Sequence, residues 1–326
     1  MIGYYVHHHG RGHLHRALAV AAELDEPVTV LSSLPPSGPG PWVVLDRDDD
    51  GGPARDVAAR RRLHWAPLHD RGLGTRMQQI SSWLVRERPR LVVVDVSVEV
   101  ATLVRLHGVP VVMVVLPGRR DDPAHRLGFD LAGALVGAWP ADATSAMLPG
   151  LPGEVHHRVH AVGALSRVPV IEPRRRRPGP PRVTVLMGAG GHDVTPEGLS
   201  RATASAPEWE WTVLGAGLGE WRDDPVEAVR DADVVVTHAG QNAVAEVAAL
   251  RRPAVLVPQR RPHDEQVVAA GVLAASGMPV RVEDGFPCDG WSERLGLAAA
   301  LPGAAWSRWC DGKAVLRFAD LVAGES

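Results

Sequence analysis

Histidines, carboxylates and turn glycines cluster just after short runs of valine and isoleucine. The first cluster is His9-Gly10-Arg11-Gly12-His13, between a β-branched run at residues 2–7 and an alanine-rich stretch at 14–24. Glycines at such a strand-to-helix turn permit close backbone approach, and the helix start offers unpaired amides to an anion or a developing oxyanion. An imidazole held there resists protonation, so His13 reads as a general base near neutral pH; a merely packed histidine is the alternative. Its partner is Asp95, which closes Leu91-Val92-Val93-Val94 and can orient the imidazole and stabilise its charged form. A helix cap for the next segment is the other reading of Asp95, and Glu99 is an alternative partner. His7, His8 and His9 continue one strand and lack the common face a zinc site needs.

The second cluster is Asp233-Val234-Val235-Val236-Thr237-His238-Ala239-Gly240-Gln241-Asn242, followed by Glu246. A buried strand ending in a polar turn that opens a helix presents backbone amides to a diphosphate. His238 adds a hydrogen bond to a phosphate oxygen, and Glu246, nearly two turns into the helix, accepts from a pair of ribose hydroxyls. A third cluster, His263-Asp264-Glu265-Gln266, opens another helix, and its mixed carboxylates and amide suit sugar hydroxyls. An acidic helix start favoured by the macrodipole is the bland alternative there.

These groups need elements to hold them. In the first half, β-branched and helical stretches alternate over residues 2–7, 14–24, 27–32, 78–86, 91–94, 98–106, 110–116, 127–135 and 160–163, the pattern of a parallel sheet covered on both faces. Residues 168–181 then become rich in proline and arginine, which favours extended, solvated chain. The alternation restarts at 182–187, 211–214, 232–237, 242–250, 254–257, 265–275 and 280–282. The reading is α/β, with a first domain at 1–167, a linker at 168–181 and a second domain at 182–326.

Composition narrows the chemistry. The 326 residues suit two cores, and 45% hydrophobic content without a run of roughly 20 apolar residues argues against a membrane span. A start that reads directly into a strand lacks the pattern of a secretory signal, so a cytoplasmic location is expected. A net charge of −3 leaves no basic footprint for nucleic acid, and the run Arg174 to Arg177 is read as a solvated spacer. Cys288 and Cys310 form neither a disulfide framework nor a zinc pattern. Lys313 is the one lysine, so no Walker A lysine is available and phosphate binding falls to backbone amides, arginine or histidine. The third glycine of a dinucleotide fingerprint falls at His15, which disfavours NAD. Asp48-Asp49-Asp50 beside Gly51-Gly52-Pro53 is read as a solvent loop rather than a metal site.

The stretch from Thr237-His238-Ala239-Gly240 through Glu246-Val247-Ala248 and Arg252-Pro253-Ala254-Val255-Leu256-Val257-Pro258 to Asp264-Glu265-Gln266 resembles the GT-B glycosyltransferases. The resemblance is to the branch that holds MurG and, more distantly, the UDP-glycosyltransferases, with the family 28 type of C-terminal domain. It implies two Rossmann-like doubly wound domains facing across a cleft, with a nucleoside diphosphate sugar, UDP first, in the C-terminal one. Under it, Gly188-Ala189-Gly190-Gly191 is a phosphate loop, His238, Gly240, Gln241 and Asn242 form the donor turn, Glu246 holds the ribose and Asp264 to Gln266 hold the sugar. Gly10-Arg11-Gly12-His13 matches the acceptor-side turn, and residues 306–323 resemble a closing segment that packs back on the first domain. The loop between Pro258 and Asp264 is arginine-rich here, and Val267 replaces a glutamine of the MurG pattern.

Retaining members carry glutamates eight positions apart, whereas His238 and Ala254 stand eight either side of Glu246, so inversion is expected. The expected partners are a nucleoside diphosphate sugar and an unassigned small-molecule, glycan or lipid acceptor, with no nucleic acid, cofactor or essential metal. Peripheral membrane contact remains compatible with a lipid acceptor. Two other readings keep the donor site: a nucleotide-sugar hydrolase, marked by free sugar released without acceptor, and a non-catalytic binding subunit, marked by binding without turnover.

Overall fold

The computed structural model describes residues 1–8, 12–49, 53–172, 178–188, 191–215, 217–220, 222 and 224–325. In chain order the first elements are β1 (Ile2–Val6), α1 (Gly12–Ala22), β2 (Val28–Ser32), β3 (Trp42–Val44), α2 (Arg71–Glu87), β4 (Leu91–Asp95), α3 (Val98–Leu106), β5 (Val111–Val115), α4 (Pro123–Leu131), β6 (Ala134–Gly137), α5 (Thr144–Met147), α6 (Gly153–His157) and β7 (Val159–Ala161). There follow β8 (Arg182–Leu186), α7 (Pro196–Ala204), β9 (Glu210–Leu214), α8 (Val226–Asp231), β10 (Val234–Thr237), α9 (Gln241–Ala249), β11 (Ala254–Leu256), α10 (Glu265–Ala275), β12 (Val280–Val282), α11 (Trp291–Ala299) and α12 (Ala314–Gly324). The chain divides into two compact units, one of Met1–Gly137, Leu148–Val162 and Val315 onward, the other of Ala138–Met147 and Gly163–Ala314.

The first unit is built on a seven-stranded parallel sheet in the order β3-β2-β1-β4-β5-β6-β7. Its central strands β1, β2, β4 and β5 are buried along their whole length. That is why they read as continuous apolar runs rather than alternating ones. Gly3 on β1 makes room for α2: a Cβ there would lie 2.6 Å from Trp83 Cη2. Helix starts follow local chemistry. Ser97 caps α3 through Val100 N–H, and Asp122 caps α4 with Pro123 at the first turn, where a missing N–H costs nothing.

The second unit holds a five-stranded parallel sheet, β12-β11-β10-β8-β9. Val183, Val185, Val234, Val236 and Val255 meet Trp209 and Trp291 in its core. In an open parallel sheet, ligands sit beyond the carboxyl ends of the strands, where the order of connection reverses direction. That point lies between β1 and β4 in the first sheet and between β8 and β10 in the second.

Several segments differ from the sequence reading. The apolar stretch 127–135 is two elements, the end of α4 and the start of β6, broken at Ala132 and Gly133. The expected solvated linker is packed at its start: Val168 is buried and Ile171 N–H donates to the Ala249 carbonyl. Its apolar residues precede the arginines, and residues 173–177 lie outside the described ones. The closing segment divides, because Trp306 donates to the Arg252 carbonyl in the second unit, while α12 sets Phe318 against Tyr4 in the first. No helix among the described residues is long and apolar enough to cross a membrane.

Candidate active site

In the first unit, β1 and β4 deliver their carboxyl ends side by side, with Val6 paired in register with Asp95. Helix α1 begins at Gly12, so His13 and Arg16 sit one turn apart on the same face. His13 Nδ1 lies 2.9 Å from Asp95 Oδ1, and Arg16 Nη1 donates to both Asp95 oxygens at 2.9 and 3.1 Å. Asp95 is fully buried and Arg16 nearly so. Burial alone would raise the Asp95 carboxyl, but the charges of Arg16 and His13 outweigh it and hold its pKa below the usual carboxylate range.

An ionised carboxylate only accepts, so His13 carries its proton on Nδ1 and presents the lone pair of Nε2. That is the tautomer a general base requires. The imidazole keeps 18% of its surface exposed while Asp95 keeps none. A buried aspartate-arginine pair thus holds a partly open histidine.

The structure separates the alternatives for Asp95 and Glu99. Ser97, not Asp95, caps α3. Glu99 turns elsewhere, its Oε1 accepting from the backbone of His64 and Trp65 and its Oε2 from Ser97 Oγ. Between them Val96 adopts φ 70°, a left-handed conformation that a β-branched residue rarely takes, and its N–H closes onto the Val94 carbonyl at 3.2 Å. Of the acceptor-side turn, Gly10 and Arg11 lie outside the described residues and Gly12 is the first residue of α1.

The histidines do not continue the strand: β1 ends at Val6, the His7 and His8 rings stack with 4.8 Å between centroids, and His9 lies outside the described residues. His7 approaches His13 edge-on with 6.5 Å between ring centroids, whereas His8 is buried against Asp49 at 3.2 Å. Asp48 is not in a solvent loop: it is nearly buried and pairs at 3.2 Å with Arg76, which is itself fully buried. The Arg76 charge, which hydrogen-bonds Tyr5 as well, draws the carboxylate inward. His8, Asp48 and Asp49 lie close enough to hold a cation, yet Arg76 and Arg47 already neutralise the two carboxylates. Asp50 lies outside the described residues.

In the second unit, β8 and β10 end together, with Leu186 opposite Thr237 and Thr237 Oγ1 donating to the Leu186 carbonyl at 2.6 Å. His238 follows. Gly240 N–H donates to His238 Nδ1 at 3.0 Å, which leaves the ring proton on Nε2. Burial, then the charges of Arg261 and His192, lower the imidazole to about 4, so it is neutral and donates without a charge of its own. Gly240 is the N-cap of α9 and brings no side chain of its own to the first amides, and Gln241 and Asn242 form the first turn. Gly191 has φ 85°, Gly188 abuts His238, and Gly190 lies outside the described residues.

Glu246 is buried on α9, and Arg167 Nε donates to its Oε1 at 2.6 Å. The third cluster does not act as one set. Asp264 is exposed, while Gln266 is buried, accepts from Gln259 N–H at 2.9 Å and lies 3.4 Å from His238 Nδ1. Gln259 extends the network, its Oε1 accepting from Asp193 N–H at 2.7 Å.

Residues 216–283 match the glycosyltransferase family 28 C-terminal domain. Over its whole length the structure superimposes on the kitacinnamycin glycotransferase, with a TM-score of 0.68, 19% identity and coverage of 99% of this chain and 98% of that one. It matches Acinetobacter baumannii MurG with a TM-score of 0.65 and 18% identity over 99% of each chain. The fold is GT-B, with a family 28 C-terminal domain. In sequence, this GT-B chain is 30% identical over 170 residues to an uncharacterized glycosyltransferase of Methanopyrus kandleri, covering 46% of this chain and 48% of the relative. It is 29% identical over 169 residues to a UDP-N-acetylglucosamine--N-acetylmuramyl-(pentapeptide) pyrophosphoryl-undecaprenol N-acetylglucosamine transferase of Nitrobacter hamburgensis, covering 44% and 45%. The chain spans about half the length of the curated relatives it matches.

Four residues around these GT-B loops escaped the sequence reading: Arg16, Arg167, Gln259 and Arg261. Arg16 alone carries a sequence signal, its spacing of three from His13 on an expected helix. The others act across loops, and no periodicity joins them to their partners.

Proposed function

We propose that the protein transfers a sugar from a nucleoside diphosphate donor, UDP first, to an acceptor hydroxyl with inversion at the anomeric carbon. The observation that carries this reading is the Arg16–Asp95–His13 chain, which fixes the imidazole with Nε2 as the basic atom at the β1–β4 switch point. His13 Nε2 takes the acceptor proton as the oxygen bonds to the anomeric carbon. The bond from that carbon to the diphosphate oxygen breaks, and the nucleoside diphosphate departs with the electron pair. Asp95 stabilises the imidazolium, while the start of α9 and His238 Nε2–H meet the charge growing on the leaving group. Glu246 receives the ribose hydroxyls, and the donor chemistry needs no essential metal.

Support for UDP comes from the Nitrobacter hamburgensis relative, whose name specifies UDP-N-acetylglucosamine. The test is incubation with UDP-glucose or UDP-N-acetylglucosamine and a panel of hydroxylated acceptors, following UDP release and the anomeric configuration of product by proton NMR. Acceptor-dependent release with a β-linked product from an α-linked donor is expected. A retained α-linkage would refute inversion, and UDP release at the same rate without acceptor would make the protein a hydrolase.

A further inference from the structure

We propose that Arg261 is the residue that grips the distal phosphate of the donor, supplying the positive charge that a lysine or a metal ion would otherwise bring; this rests on reading the second unit as a nucleotide-sugar site. Strand β10 lies between β8 and β11 in the sheet, so the loops after β8 and β11 are not neighbours along the sheet edge. Yet Arg261 Nη2, from the loop after β11, donates at 2.7 Å to the carbonyl of Gly191, in the loop after β8. The side chain must therefore cross above the end of β10, where His238 and the first turn of α9 emerge.

Two further observations place positive charge at that crossing. Gly240 N–H donates to His238 Nδ1, which leaves the ring proton on Nε2, and among the described residues Nε2 makes no hydrogen bond. After burial, Arg261 is the largest influence keeping that ring neutral, which requires its charge to lie close by. A second strut, in which Asp193 N–H donates to the buried Gln259 side chain at 2.7 Å, joins the same two loops. The loop is also held in an unusual shape, with consecutive non-glycine residues His263 and Asp264 at φ 62° and 54°. Such conformations persist where surrounding structure fixes them, often at ligand clamps.

A guanidinium offers several N–H donors in a planar fork that matches phosphate oxygens, and a neutral carbonyl such as that of Gly191 is a weak partner by comparison. The α9 amides and His238 can serve one phosphate group. Arg261, reaching from the far side, selects for a second, so it favours a diphosphate over a monophosphate.

The test compares wild type, Arg261→Gln and Arg261→Lys by calorimetric titration with UDP, dTDP and GDP and with the matching monophosphates. The diphosphate that binds wild type best is expected to lose about 10- to 100-fold in affinity in Arg261→Gln, while its monophosphate changes less than about 3-fold. Arg261→Lys should fall between, and it carries the test if the glutamine variant folds poorly. Equal losses for both ligands would assign Arg261 a structural role, and no loss would remove it from the site; either overturns the proposal. Wild type that binds none of the diphosphates would overturn the donor reading itself, and this assignment with it.

Discussion

His238 Nε2 lies 2.9 Å from where a Cβ on Gly188 would stand, and the adjoining ring atoms Cε1 and Nδ1 lie 2.5 and 2.7 Å from where one on Gly240 would stand. The imidazole is slotted between two glycines at the end of the second sheet, and neither can gain a methyl group without displacing it. Gly188→Ala is therefore expected to weaken nucleoside diphosphate binding by about 10-fold, the worth of one or two hydrogen bonds to a charged ligand. Because the loss acts through His238, Gly188→Ala combined with His238→Ala should bind no more weakly than His238→Ala alone. Additive losses in a double-mutant cycle would show that the glycine serves some other purpose.

The Arg16–Asp95 pair predicts different consequences for its two ends. Arg16→Met strands a buried carboxylate and should cost about 3–5 kcal/mol in urea unfolding of the first unit. Asp95→Asn turns one carboxylate oxygen into an NH2 donor, so the side chain no longer fixes the His13 tautomer, and transfer should fall by roughly 10³-fold with donor affinity unchanged. A parallel fall in donor affinity would place Asp95 in binding rather than in holding the base.

Val96 reverses an ordinary order of stability. At φ 70° any Cβ is strained by about 1 kcal/mol or more, and glycine alone relieves it. Val96→Gly should therefore be more stable than Val96→Ala, although alanine is normally the less disruptive replacement. Denaturant midpoints of the two variants decide the matter.

Two buried imidazoles set a pH dependence. His238 is lowered to about 4, by burial first and Arg261 second, and His125 to about 3, by burial first and Arg120 second. The unfolded chain protonates both near 6.5, so between about 4 and 6.5 it binds protons that the folded state does not. Stability must rise with pH through that window and level off above it. Asp95, whose pKa is lowered, contributes stability that is present above about 4 and lost only as pH falls further. The thermal midpoint should accordingly be higher at pH 7 than at pH 5, with a smaller difference in His238→Asn. An unchanged difference would locate the proton uptake elsewhere.

What the sequence disclosed follows from the range of its signals. Strands β1, β4, β8 and β10 were legible because parallel strands buried on both faces are continuous apolar runs. The turns after them were legible because His13, Asp95 and His238 interrupt those runs with polar groups. The short strand β3, partly exposed and only Trp42–Val44, had no such pattern. Asp48 misled because an acidic triplet beside glycines looks solvated, and only the fold brings Arg76 to it from α2. Arg261 read as one of several loop arginines, since its link to Gly191 spans 70 positions.

Transfer as proposed depends on His13 as the base. The decisive measurement is the transfer rate of His13→Ala at saturating donor and acceptor, with nucleoside diphosphate affinity titrated on the same preparation. A fall of about 10²-fold or more with unchanged affinity is expected for loss of a positioned proton acceptor. Near-normal transfer would contradict the mechanism at its centre.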